Sequence, residues 1–170
     1  MGLASVQAST ARSVRRISLR QSLSFTVNGT PITQGSKSVT MRAGRPVLMD
    51  RNNMKSKTMP ADRLTHWREN VARIAASAMQ VRGWTECRGN VELSCTFHFT
   101  RPKSHMRPDG TVRAAFASKL PRGDLDKYLR AIGDSLSGIV YKDDAQIRII
   151  RGEKLYTVMA AFALITVVRL

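Results

Sequence analysis

Val91, Leu93, Cys95, Phe97 and Phe99 alternate without interruption with Glu92, Ser94, Thr96 and His98. Alternate side chains of a strand point to opposite faces, so this run predicts a strand with one buried face and a register that a one-residue slip would ruin. The rest of the chain must supply partners for that strand and a cover for that face. Leu64, Trp67, Val71, Ile74, Ala75 and Ala78 recur at helical spacing between Ala61 and Val81, with Gly83 just beyond. They predict a helix with one apolar stripe. Leu125, Leu129, Ile132 and Leu136 form a second stripe, predicting a helix over Asp124 to Ser137 with Gly138 as its stop. Leu23, Phe25 and Val27 alternate ahead of Asn28-Gly29, the pattern of a strand entering a turn. Ile147 to Ile150 and Ala160 to Val168 predict two more strands, and the second, apolar on both phases, is expected to be central. Thr30 to Pro60 is rich in Gly, Pro, Lys and Arg and reads as a basic loop or loose hairpin around the strand-like Pro46 to Asp50.

These elements predict an α+β fold, a small mixed sheet packed against two main helices, with one domain over residues 23–170. Residues 1–22 carry Arg12, Arg15, Arg16 and Arg20, no acid and no long apolar core, so they read as a disordered basic arm and not as a secretory signal. Cys87 and Cys95 lack the number and spacing of a disulfide framework or a zinc site, which suits a reducing cytoplasm; Cys95 falls on the apolar phase of its strand.

The chain holds 28 Lys and Arg against 12 Asp and Glu, a formal charge of +16. Such an excess calls for a polyanionic partner, and nucleic acid is the leading one because each neutralised phosphate releases counterions. A membrane span is excluded by the absence of a long enough apolar run; Phe162 to Leu170 is far too short.

Five of the 12 acids nevertheless fall within Arg122 to Ile147: Asp124, Asp126, Asp134, Asp143 and Asp144. Taken singly, each has a modest explanation. Asp124 suits a helix N-cap, Asp126 the first turn, and Asp126, Arg130 and Asp134 are spaced for ion pairs along the helix. Asp143-Asp144 suits a turn. A return of the chain after Gly138 would bring Asp143 or Asp144 back beside the helix start. Three carboxylates about 5 Å apart would repel by roughly 3 kcal/mol per pair at an effective dielectric near 20, against about 0.2–0.5 kcal/mol from a helix-face ion pair. Such a cluster needs a cation or raised pKa values. Mg²⁺ (or Mn²⁺), held by carboxylates and waters, is the expected occupant, polarising a phosphodiester and activating a water. Arg130, one turn after Asp126, is placed to stabilise the charge that develops.

The segment DLDKYLRAIGDSLSGIVYKDDAQI, Asp124 to Ile147, resembles the core motif of the RusA-type endodeoxyribonucleases, the Holliday junction resolvases of bacteria and their phages. That family carries D-x-D-N-x-x-K at a helix start, a later Asp on the helix, and a D-D-x-Q-I/V ending. The opening Phe25 to Pro31, the helix WRENVARIAASAM and the strand and basic loop before the motif extend the resemblance over most of the chain after Leu23. It implies metal-binding roles for Asp124, Asp126 and Asp144, with Arg130 at the position of the catalytic lysine. Two residues depart from the pattern: Lys127 stands where the family usually has asparagine, and Arg130 keeps the lysine's charge but does not give up its proton, which leaves electrostatic stabilisation as its role.

The resemblance also implies a Mg²⁺-dependent endonuclease that resolves four-way DNA junctions by paired symmetric nicks in recombination and repair. It implies a homodimer and no organic cofactor, working in the cytoplasm of a bacterium or phage-infected cell. DNA contacts are expected from Arg101, Lys103, Lys119, Arg122, Lys127 and Lys142, with Arg107 and Arg113 in the same loop. A second set is expected from Lys37, Arg42, Arg45, Arg51, Lys55 and Lys57. The competing reading is a non-catalytic basic nucleic-acid-binding protein whose aspartates are structural. His66, His98 and His105 lack metal-ligand spacing, and Trp67 and Trp84 are expected in the core or at its rim.

Overall fold

A computed structural model describes residues 21–35, 37–50 and 63–170. Its main sheet has four strands: β1 (Ser22–Asn28), β4 (Val91–Thr100), β5 (Ile147–Thr157) and β6 (Phe162–Arg169), in the order β1-β6-β4-β5. β6 runs antiparallel to both β1 and β4, whereas β5 runs parallel to β4, with Leu93 opposite Ile150 and Phe97 opposite Lys154. A parallel pair needs a long crossover. The segment between β4 and β5 supplies it as a loop and the helix α2 (Leu125–Leu136). A second helix, α1 (Arg63–Arg82), packs on β1 and on α2.

The alternation that predicted β4 is realised: Val91, Leu93, Cys95 and Phe97 are buried, and the intervening side chains are half-buried. Their neighbours on the same face are Leu23, Phe25 and Val27 of β1 and Ala163, Ile165 and Val167 of β6. Val71 and Ala75 of α1 and Leu129, Ile132 and Leu136 of α2 close the core from above. Each fully buried aliphatic or aromatic side chain contributes about 1.5–3 kcal/mol. β6 is internal, as expected, but not because both phases are buried: Leu164, on the outer face, is 42 % exposed. β5 runs well past Ile150 through a polar stretch containing Gly152, which suits its place at the sheet edge.

The basic region before α1 forms a separate hairpin, β2 (Lys37–Arg42) and β3 (Arg45–Asp50). Ala43 and Gly44 make its two-residue turn, both with positive φ (50° and 73°), the turn whose twist matches paired strands. Arg51, Lys55, Lys57 and residues 1–20 of the arm expected over residues 1–22 lie outside the described residues, whereas Ser22 already belongs to β1. Trp67 and Trp84 are buried in the core, and Trp84 Nε1 donates to the Val140 carbonyl. Both cysteines are free and buried, and burial pushes the Cys95 thiol up to about 12, so it is an inert core side chain. No helix among the described residues is long and apolar enough to cross a membrane.

Candidate active site

The acidic segment begins at a constrained turn. Gly123 has φ 89°, and a Cβ there would lie 2.5 Å from the Tyr128 hydroxyl. That hydroxyl donates to the Arg122 carbonyl at 3.0 Å, clamping the turn onto the first turn of α2. Lys154 of β5 donates from Nζ to the Gly123 carbonyl and fixes the turn from the sheet side. Glycine is therefore required immediately before Asp124 for both conformation and space.

Asp124 has the extended backbone of an N-cap, but its carboxylate accepts no capping hydrogen bond. It meets Lys127 Nζ at 2.5 Å instead, which corrects the capping expectation. The hydrogen bond from Lys127 and its charge, with a smaller contribution from Lys154, hold the Asp124 carboxyl below the usual range. Asp124 is thus an exposed, firmly ionised carboxylate whose present counter-cation is a lysine from its own helix. Asp126 and Arg130 are exposed, and neither makes a hydrogen bond or ion pair with any described residue. The ion pairs expected along this face are not formed. Asp134 turns to α1 and meets Arg68 at 3.8 Å.

The two aspartates before β5 have different tasks. Asp143 caps a short 3₁₀ turn over Asp144–Gln146: its Oδ1 accepts from the Ala145 amide at 2.8 Å, and its own amide donates to Gln146 Oε1 at 3.0 Å. Gln146 Nε2 also donates to the carbonyls of Cys87 and Gly89 at 3.0 and 2.7 Å, anchoring the turn to the chain before β4. Asp144 is left exposed.

Its position departs from expectation. Along α2, Lys154 reaches Gly123, Gly152 faces Leu129, and Ile147 Cδ1 approaches Gly133, so β5 begins beside the second half of the helix. Asp144 lies upstream of Ile147 and, with Asp134, acts electrostatically on the buried Tyr141 hydroxyl, which donates to the Gly133 carbonyl. A helix rises about 1.5 Å per residue, so Gly133 is roughly 12 Å along the axis from Leu125, where α2 starts. Among the described residues, no group of three His, Cys, Asp or Glu is gathered closely enough to hold a metal ion. The chain returns beside the far half of α2, not beside its start. The donor chemistry still fits a hard divalent cation at the first turn, where two exposed carboxylates are separated by one residue and one of them is already neutralised by a cation.

The family model for the endodeoxyribonuclease RusA matches residues 31–166. The chain belongs to the RusA family. It is also 28% identical over 138 residues to the uncharacterized protein YqaN of Bacillus subtilis (strain 168), a match covering 79% of this chain and 88% of that protein. RusA membership makes the basic loop before α2 the natural place to look for DNA contacts. Lys103, Lys119, Arg122 and Lys142 are exposed, and Lys127 is committed to Asp124. Arg101 is spent inside the loop: its guanidinium donates to the Phe116 carbonyl at 3.0 Å and lies 4.7 Å from the Tyr156 ring centroid.

Two features of the site escaped the sequence. Lys154, a cation from outside the motif that acts on Asp124, sits in a strand whose extent the local pattern did not reveal. The loop over residues 101–122 is ordered by packed rings, with His105 stacked on Phe116 at 4.2 Å and edge-on to Tyr156 at 5.6 Å. Burial, then Lys119 and Arg101, push the His105 imidazole below its ordinary pKa, which favours a neutral ring at pH 7.

Proposed function

We propose that this chain is a Mg²⁺-dependent, structure-selective endodeoxyribonuclease that resolves four-way DNA junctions by paired symmetric nicks. The observation that carries the reading is the pair Asp126 and Arg130, exposed one turn apart and unpartnered within the described chain, on a helix inside the RusA match. Among the described residues its only structural contribution is a negative charge in the first turn of α2, which leaves its carboxylate oxygens free for an ion. In the competing reading, of a passive binder, Asp126 serves only the helix dipole, and the ion pair with Arg130 which that reading also offered is not formed.

Asp124 and Asp126 would hold the ion, which supplies charge neutralisation at the scissile phosphate and activation of a water. Asp144 joins as the family's third carboxylate. Arg130, always protonated and forked, stabilises charge on the phosphate oxygens without giving up a proton. Lys127, now paired with Asp124, would have to yield that carboxylate to a bound ion. The chain acts as a homodimer, because two nicks related by two-fold symmetry need two identical sites facing a two-fold junction. A second copy facing each site would also give a third carboxylate a route to the first turn, which the described residues of the single chain do not provide.

The test is incubation of the purified protein with an end-labelled four-way junction with and without Mg²⁺ or Mn²⁺. Paired nicks that need the metal support the proposal; tight binding with neither metal giving cleavage supports the passive binder. Arg130→Lys is expected to retain most activity, whereas Arg130→Ala lowers the cleavage rate with little loss of binding. An alanine variant as fast as the parent would remove Arg130 from the mechanism. Junction affinity is expected to fall steeply with salt, log affinity changing by about 0.9 per phosphate contact for each unit of log salt. A flat dependence, read by anisotropy between low and physiological salt, would rule out the phosphate-driven contact.

A further inference from the structure

Beside the start of α2 lies an open groove of about 690 Å³, bordered by the ends of β4 and β5 and by the loop over residues 101–122. Phe99, Tyr128, Tyr156 and His105 line it, and Lys119 and Arg122 supply its charges. The rings hold one another in place: Phe99 and Tyr128 lie 5.3 Å apart, and His105 is fixed between Phe116 and Tyr156. His105 Nδ1 is buried and has no hydrogen-bond partner among the described residues. Leu120, also lining the groove, is 65 % exposed, between Lys119 and Pro121-Arg122. Arg122 and Tyr128 border both this groove and the turn that carries Asp124.

We propose that this groove receives an unstacked nucleobase of the DNA strand beside the scissile phosphate, a role that rests on the nuclease reading. Aromatic walls suit the flat apolar faces of a base, and lysine and arginine suit the phosphates that flank it. A purely apolar ligand would have no use for the two cations, and a small anion no use for the rings. A base in continuous duplex must be unstacked before it enters, whereas a base at a branch point is already poorly stacked and enters at lower cost. The groove thereby selects branched DNA next to the cutting site, with Leu120 placed to fill the gap the base leaves.

The test is a coupling measurement with the full-length protein in Ca²⁺, using four-way junctions that carry a single abasic site at successive positions around the crossover. One position is expected to weaken binding to the wild type by about tenfold. At that position the abasic site should cost Tyr156→Ala nothing further, and Tyr156→Phe, which keeps the ring, should regain the penalty. Leu120→Asp, changed at an exposed position, should also lose it, and it guards against a Tyr156→Ala variant that fails to fold. Wild-type protein that binds and, in Mg²⁺, cuts the intact junction but shows no position-specific coupling overturns the groove and leaves the nuclease standing. Protein that neither binds nor cuts the intact junction overturns both.

Discussion

Asp126→Asn is expected to lower the rate of paired nicking by at least about a hundredfold while junction binding stays within a few-fold of the parent. The reasoning begins with what Asp126 does not do. It is exposed, pairs with no described residue and caps nothing, so asparagine of the same shape removes charge and little else. Its one structural contribution is a negative charge in the first turn of α2, worth about 0.3–1 kcal/mol at a helix N-terminus. The melting temperature should therefore barely move. A chain of net charge +16 loses no phosphate contact through the change and becomes slightly more attractive to DNA. Gel assays of cleavage, anisotropy of the uncut junction and a thermal melt separate the three effects. Cleavage at the parental rate would mean that Asp126 holds no catalytic ion.

The largest stability effects are expected where α2 meets β5. Gly152 faces Leu129 so closely that a Cβ there would stand 2.7 Å from Leu129 Cδ1 and within 3.2 Å of Cγ. Gly152→Val is expected to destabilise by about 1–3 kcal/mol through overpacking. Leu129→Ala, which empties a nearly fully buried site, is expected to cost about 2–5 kcal/mol. The two are coupled: Gly152→Ala should be markedly less harmful in the Leu129→Ala background than in the parent, as read by urea denaturation of all four proteins. Additive effects would mean that helix and strand are not in contact there. Because this contact seats α2, variants that retain the fold but shift the helix should also lose cleavage before they lose DNA binding.

Much of the molecule was legible as local pattern. The unbroken alternation from Val91 to Phe99 specified a strand with a buried face, and the stripe from Leu125 to Leu136 specified a helix over the right residues. Both are periodicities of the chain itself, set by backbone geometry within a few residues. The sequence of Asp124, Asp126 and Arg130 already implied that three charged groups share the start of one helix, since residues on a helix have fixed relative positions.

What the sequence withheld depends on partners far along the chain. Asp124 looked like a cap and instead meets Lys127, because the lysine ammonium competes with the first-turn backbone amides for one carboxylate and the charged donor wins. Arg130 and Asp134 looked like a pair, but α1 supplies Arg68 to Asp134 and leaves Arg130 exposed. Gly152 lies past the strand expected over Ile147 to Ile150 and is the notch that admits Leu129. Most consequential is Asp144, whose separation from Asp124 is decided by where a parallel strand begins beside its crossover helix. Periodicity is local and can be read residue by residue; the pairing of β4 with β5 is a long-range choice made by the whole core, and the spacing of the site's carboxylates follows from it.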